Sequence, residues 1–165
     1  LVYLQDVAGA TIAGNELETA ASLIYCFRSK RITISGGNLV NIGNYAGRFS
    51  TCTDIKISNV NVDGHGGGYW FYGGCVGIDV SGGTILNGRS DAQKKKHFSL
   101  SGASEFSIRN MRIPASANGY TSAIDVYNTS TKGNVKDIFA AGWGPDTAFV
   151  SFGAGSSATI SGNVY

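Results

Sequence analysis

Residues Ile32-Thr33-Ile34-Ser35-Gly36-Gly37 state a phrase that the chain repeats from one end to the other. It recurs as Ala10-Thr11-Ile12-Ala13-Gly14-Asn15, Ile55-Lys56-Ile57-Ser58-Asn59, Ile78-Asp79-Val80-Ser81-Gly82-Gly83, Phe106-Ser107-Ile108-Arg109-Asn110 and Ala158-Thr159-Ile160-Ser161-Gly162-Asn163. A weaker copy reads Lys136-Asp137-Ile138-Phe139-Ala140. Aligned on the central aliphatic residue, one column holds Ile12, Ile34, Ile57, Val80, Ile108, Ile138 and Ile160, at spacings of 22, 23, 23, 28, 30 and 22. Two positions earlier stand Ala10, Ile32, Ile55, Ile78, Phe106, Lys136 and Ala158. Two positions later stand Gly14, Gly36, Asn59, Gly82, Asn110, Ala140 and Gly162, and five later Leu17, Leu39, Val62, Ile85, Ile113, Trp143 and Tyr165.

Each column has a physical cause. Period-2 alternation puts the aliphatic residues on one face of a strand. Gly or Asn at the bend marks a left-handed backbone conformation that other residues adopt only at a cost. The apolar residue beyond the bend opens a second strand facing the same interior. A third strand precedes the phrase, around Tyr25–Phe27, Phe49, Phe71, Phe98–Leu100, Ile124–Val126 and Phe149–Phe152. Coil length varies only in the loops, as a solenoid allows. The expected fold is all-β: a single-stranded right-handed parallel β-helix of about seven coils, one domain over residues 1–165. Leucine-rich repeats share the period, but their LxxLxL phrase is absent, and no 3.6-residue pattern supports helical repeats. The chain begins mid-pattern at Leu1, and its last strand stops at Tyr165, so it reads as a piece of a longer protein.

Composition agrees. Charged residues are 15%, against about 25% in an average domain. There are 24 Gly and only 2 Pro, which suits strands joined by tight bends. A net charge of +2 gives no nucleic-acid footprint. The one basic run, Lys94, Lys95, Lys96 and His97, reads as a solvated loop. No apolar run reaches the ~18 residues of a membrane helix. The three cysteines are odd in number and lack CxxC spacing, against a zinc site or a disulfide framework. Cys26, Cys52 and Cys75 fall at similar turns and read as small buried thiols in a column. Reduced thiols fit a protein assembled inside a cell.

Two places carry candidate chemistry. Asp79 and Glu105 point outward on neighbouring coils, offset by two residues, which separates their Cα atoms by roughly 8 Å. That spacing admits a glycosidic bond and a water between two carboxylates, making them the candidate catalytic pair. Lys56 lies one coil below Asp79, and an ordinary ion-paired face is the bland alternative. The second place is Gly64-His65-Gly66-Gly67-Gly68-Tyr69-Trp70-Phe71-Tyr72. Tyr69 and Phe71 share one side and Trp70 and Tyr72 the other. Flat rings with polar edges suit stacking on sugars. Asp63, His65, Tyr69, Trp70, Tyr72 and Arg109 are the candidate substrate-binding residues. The alternative is a loop whose aromatics cover the core or pack on a sister chain.

Coils of this length, with Gly/Asn bends and Gly-rich lateral loops, resemble the pectin-lyase-like superfamily. The phrases at Ala10–Asn15, Ile32–Gly37, Ile55–Asn59, Ile78–Gly83 and Ala158–Asn163 carry the likeness, which is closest to bacteriophage tailspikes. That resemblance implies a homotrimer in the virion tail that binds a bacterial surface polysaccharide and, in many members, hydrolyses it with paired Asp/Glu residues. No cofactor or metal is expected, since the clustered aspartates of a calcium site are absent. Other readings are a non-catalytic structural or adhesive shaft, including an extracellular one, and a lyase using Arg31, Lys56 or Arg109 as base.

Overall fold

The computed structural model describes residues 1–20, 22–89, 96–115, 118, 120, 122–143 and 149–164, the side chains of 19 and 20 excepted. Its strands pair in parallel and wind into a solenoid of about six turns, with no helix among the described residues. Three faces enclose the core. The second face is the repeated phrase itself: Ala10–Ala13, Lys30–Ser35, Thr53–Ser58, Val76–Ser81, Ser104–Arg109, Gly133–Lys136 and Ala158–Ser161 form one seven-stranded sheet. The first face stacks Val2–Gln5, Ile24–Phe27, the ends of Asn38–Ser50 and Asn61–Tyr72, Phe98–Ser101, Ile124–Tyr127 and Val150–Phe152. The third face holds Glu16–Ala20, the starts of those two long strands and Thr84–Leu86, and continues as single bridges at Arg112, Phe139 and Val164.

The expected files of like side chains are there. Ile12, Ile34, Ile57, Val80 and Ile108 lie directly over one another. The middle of the file is shut off from water, and Ile160 at the last coil is exposed. On the first face, Phe49 stacks on Phe71 with ring centres 4.9 Å apart and planes 13° apart, a geometry that adds to simple burial.

The sixth coil differs from the sequence reading by three residues. Val135, not Ile138, pairs with Ile108 below and Ile160 above. Lys136 therefore points outward. The position two before Val135 is Gly133, and this is why the copy escaped notice. A Cβ there would stand 1.9 Å from the Phe106 ring, which fills the space an aliphatic side chain takes in other coils. With the register corrected, the bend residues are Gly14, Gly36, Asn59, Gly82, Asn110, Asp137 and Gly162, all with φ between 53° and 67°. Ala140 then takes the place expected of Trp143, since Phe139 bridges both Arg112 and Val164. Trp143 is still buried, and its Nε1 donates to the Ile113 carbonyl at 2.9 Å. Tyr165 lies outside the described residues, as do Lys94 and Lys95 of the basic run.

The thiols also need a correction. Cys52 and Cys75 share the corner between first and second faces with Ser29 and Ala103, each accepting from the strand start one coil on. Cys26 sits elsewhere, on the first face, paired with Phe49. All three are buried and reduced.

This register makes a sharp prediction for chemical denaturation. Gly133→Ala should cost about 1–3 kcal/mol by overpacking Phe106, whereas Lys136→Ala should change stability by less than about 0.5 kcal/mol. The opposite order would restore the register read from sequence.

Candidate functional site

Alternation on the first face sends every second side chain outward. Following the pairing from coil to coil, the outward file reads Tyr3, Tyr25, Arg48, Trp70, Ser99, Asp125 and Ser151. Its neighbour reads Gln5, Phe27, Ser50, Tyr72, Ser101 and Tyr127. The lower half is thus an aromatic surface built around one cation. Trp70 stacks on Tyr72 at 4.2 Å, Tyr45 lies 5.2 Å from Trp70, and Tyr3 lies 5.2 Å from Tyr25. The Arg48 guanidinium carbon sits 4.9 Å from the Trp70 ring centre and 5.3 Å from that of Tyr25. Rings at 5.7 and 5.8 Å, from Tyr72 and Tyr45, complete the surround. Arg48 Nη2 donates to the Tyr72 hydroxyl at 3.3 Å, and the Tyr25 and Tyr72 hydroxyls meet at 3.3 Å. That hydroxyl contact, with some burial, raises the Tyr25 pKa; burial raises that of Tyr45 to about 12. These phenols are therefore neutral donors and acceptors at neutral pH.

Trp70 and Tyr72 point outward and Tyr69 and Phe71 inward, as the alternation requires. The inward direction removes Tyr69 from any binding role: it is 1% exposed and packs on Phe98 with ring centres 5.6 Å apart. His65 is removed likewise. It is fully buried, with Nε2 2.9 Å from His97 Nδ1, and Tyr120 donates to its carbonyl. His97, read as part of a solvated run, is equally buried because it enters the core at the corner leading to Phe98. Lys96 beside it donates to Ser122 Oγ at 2.8 Å and faces Asp125 at 3.9 Å. Asp63 lies on the third face, where it accepts from Asn87 Nδ2 at 2.8 Å, rather than beside the aromatics. Arg109 is on the second face, paired with Asp79 at 2.9 Å.

Asp79 and Glu105 do stand on neighbouring coils with the expected offset, since Asp79 pairs with Ser107. Each has a basic neighbour: Arg109 for Asp79, and Lys132 at 3.6 Å for Glu105. Glu105 adopts a left-handed φ of 56° at the strand start. Asp79 Oδ1 is shielded and has no hydrogen-bond partner. Sequence reasoning missed Tyr3, Tyr25 and Arg48. The signal was present, because these residues alternate with Leu4, Cys26 and Phe49 on the same strands.

The fold and this outward face define a parallel β-helix protein with an aromatic lateral surface. The chain belongs to the NosD family, described as periplasmic copper-binding protein (NosD), which matches residues 1–165. No curated protein and no solved structure matches it.

The family description raises the question of copper, whose usual ligands are thiolate, thioether and imidazole. The chain has three Cys, two His and one Met. Cys52 and Cys75 lie where first and second faces meet, and Cys26 lies on the first face. Cys52 Sγ donates to the Cys26 and Ser50 carbonyls, at 3.4 and 3.3 Å. Its pKa falls to about 7 through the Cys75 thiol hydrogen-bonded to it, whereas burial pushes Cys26 up to about 12. The histidines lie at a different corner, bonded to one another, and Met111 is buried in its own place. Among the described residues no three His, Cys, Asp or Glu side chains converge as metal ligands do. These residues do not fit a copper centre within this chain.

The histidine pair has a consequence for stability. Burial lowers the His65 pKa to about 4 and holds His97 well below its usual range, so both are neutral in the fold. Unfolding returns them to about 6.5. Their contribution is complete above that pH and lost as pH falls from 6.5 toward 4, by about 3 kcal/mol for one such shift. Urea midpoints measured from pH 7 to 4 should fall over that window in the wild type. They should fall much less in a His65→Leu, His97→Phe double variant.

Proposed function

We propose that this chain is a glycan-binding section of a β-helix, with the outward aromatic face of Tyr3, Tyr25, Arg48, Trp70 and Tyr72 as its binding surface. The observation that carries the reading is the file Tyr3, Tyr25, Arg48 and Trp70, in register over four coils, with Tyr72 stacked beside Trp70. Ring faces of this kind bind the apolar faces of sugars, and their polar edges meet hydroxyls. A straight strip running coil to coil suits a linear polymer. The tailspike resemblance supplies the ligand class, a bacterial surface polysaccharide, and with it a homotrimer in a phage tail. Copper enters no step of this reading, because the soft ligands are divided between separate corners.

Cleavage is a further version of the same proposal. It uses Asp79 and Glu105, which stand on neighbouring coils of the second face with an offset of two residues. Turnover of a bound polysaccharide that Asp79→Asn abolishes, with binding retained, supports that version; binding with no shortened product limits the chain to recognition.

The test of the binding reading is a panel of bacterial surface polysaccharides presented to the wild type and to Trp70→Ala and Tyr72→Ala. Loss of one stacking ring should weaken binding about ten-fold or more. Affinity unchanged in both variants would remove the face from recognition. A trimer whose interface covers Trp70 and Tyr72 would instead favour the structural-shaft reading.

A further inference from the structure

We infer that Arg48 makes this face selective for acidic sugars, by binding the carboxylate of a uronic acid residue; the inference rests on the glycan-binding reading above. Arg48, like Lys30, Arg31, Lys56 and Arg112, has no counter-ion among the described residues, and it is set apart by the rings that surround it. Arg28, Lys96, Arg109, Lys132 and Lys136 each face a carboxylate. No carboxylate lies within ion-pair distance of Arg48 among the described residues. Its neighbours are four aromatic rings and the Tyr72 hydroxyl, and its Nε has no acceptor. The side chain is thus a positive charge held in place by stacking, with its Nε shielded from solvent and its terminal Nη1 left to meet a ligand.

The surroundings set its strength and its preference. Rings on several sides displace water and lower the local dielectric, so an arriving anion is drawn more strongly than at an open surface. Guanidinium is planar and weakly hydrated, and its paired N–H groups match the two oxygens of a carboxylate. The position supplies the rest. The guanidinium carbon is 4.9 Å from the Trp70 ring centre, and Trp70 is its partner on the next coil. A pyranose lying against the outer edge of this cluster, beside Trp70, therefore presents its ring substituents to Arg48. A carboxylate there gains charge-assisted hydrogen bonds, whereas a hydroxymethyl group gains an ordinary one. The neighbours along the file, Tyr25 below and Ser99 above Trp70, carry no charge to repel the anion.

The experiment is an array of carboxylated bacterial polysaccharides, each printed in native form and after chemical reduction of its carboxyl groups. It is probed with the wild type, Arg48→Lys, Arg48→Gln and Trp70→Ala. The wild type should bind native forms about ten-fold or more tightly than their reduced counterparts. Arg48→Gln should bind both forms equally, and Arg48→Lys should keep part of the preference. Trp70→Ala should weaken both forms together. Because the native-against-reduced comparison is made on the wild type, it does not depend on any variant folding. Equal binding of the two forms by the wild type, or a preference that survives Arg48→Gln, would overturn the role of Arg48 and leave the glycan reading standing. A wild type that binds no polysaccharide in either form would overturn both.

Discussion

Parallel pairing between each coil and the next, at a fixed register, is the constraint from which the other features follow. In such a ladder every side chain has a same-facing neighbour about 4.8 Å above and below it. A residue therefore cannot be chosen for its own coil alone. Ile57 must suit Ile34 and Val80; Phe106 must suit Ile78 below, and Gly133 gives it room above. The bends keep the ladder in phase. Seven successive bends use a left-handed residue at the same place, and where Gly is absent Asn or Asp fills it. These are the residues for which that backbone region is least costly.

The same constraint builds the outer surface. Tyr25, Arg48 and Trp70 touch because three coils place equivalent positions in one file. The aromatic face is therefore a product of the repeat rather than a separate insertion. The second face obeys the same rule with different residues. Lys56, Asp79 and Ser107 form a polar file there, and Asp79 is drawn to Arg109 in the adjoining file.

Much of the fold was legible from residues that repeat. The aliphatic columns, the bends and the third strand could be read because burial demands similar side chains at each turn. The sixth coil could not be read in the same way. Its place in the column is held by a glycine that yields to Phe106, so the rule is satisfied across two coils rather than within one. The orientation of the Trp70 and Tyr72 rings followed from alternation alone. His65 and His97 were harder: histidine is usually a surface residue, and only their mutual hydrogen bond makes burial tolerable. Arg48 was passed over because a lone arginine in a strand carries no signal until its neighbours in space are known. Family membership adds a copper-binding description, and the separation of the thiols from the imidazoles shows why that chemistry was not legible either.

Paired spin labels measure the central claim most directly. Thr11, Ser107 and Thr159 belong to one outward file, with Ser107 four coils from Thr11 and Thr159 six coils away. With the native cysteines replaced by serine, labels at Thr11 and Ser107 should lie about 19 Å apart, and labels at Thr11 and Thr159 about 29 Å apart. Distances that do not grow in step with coil number would contradict the winding on which the core, the bends and the aromatic face all depend.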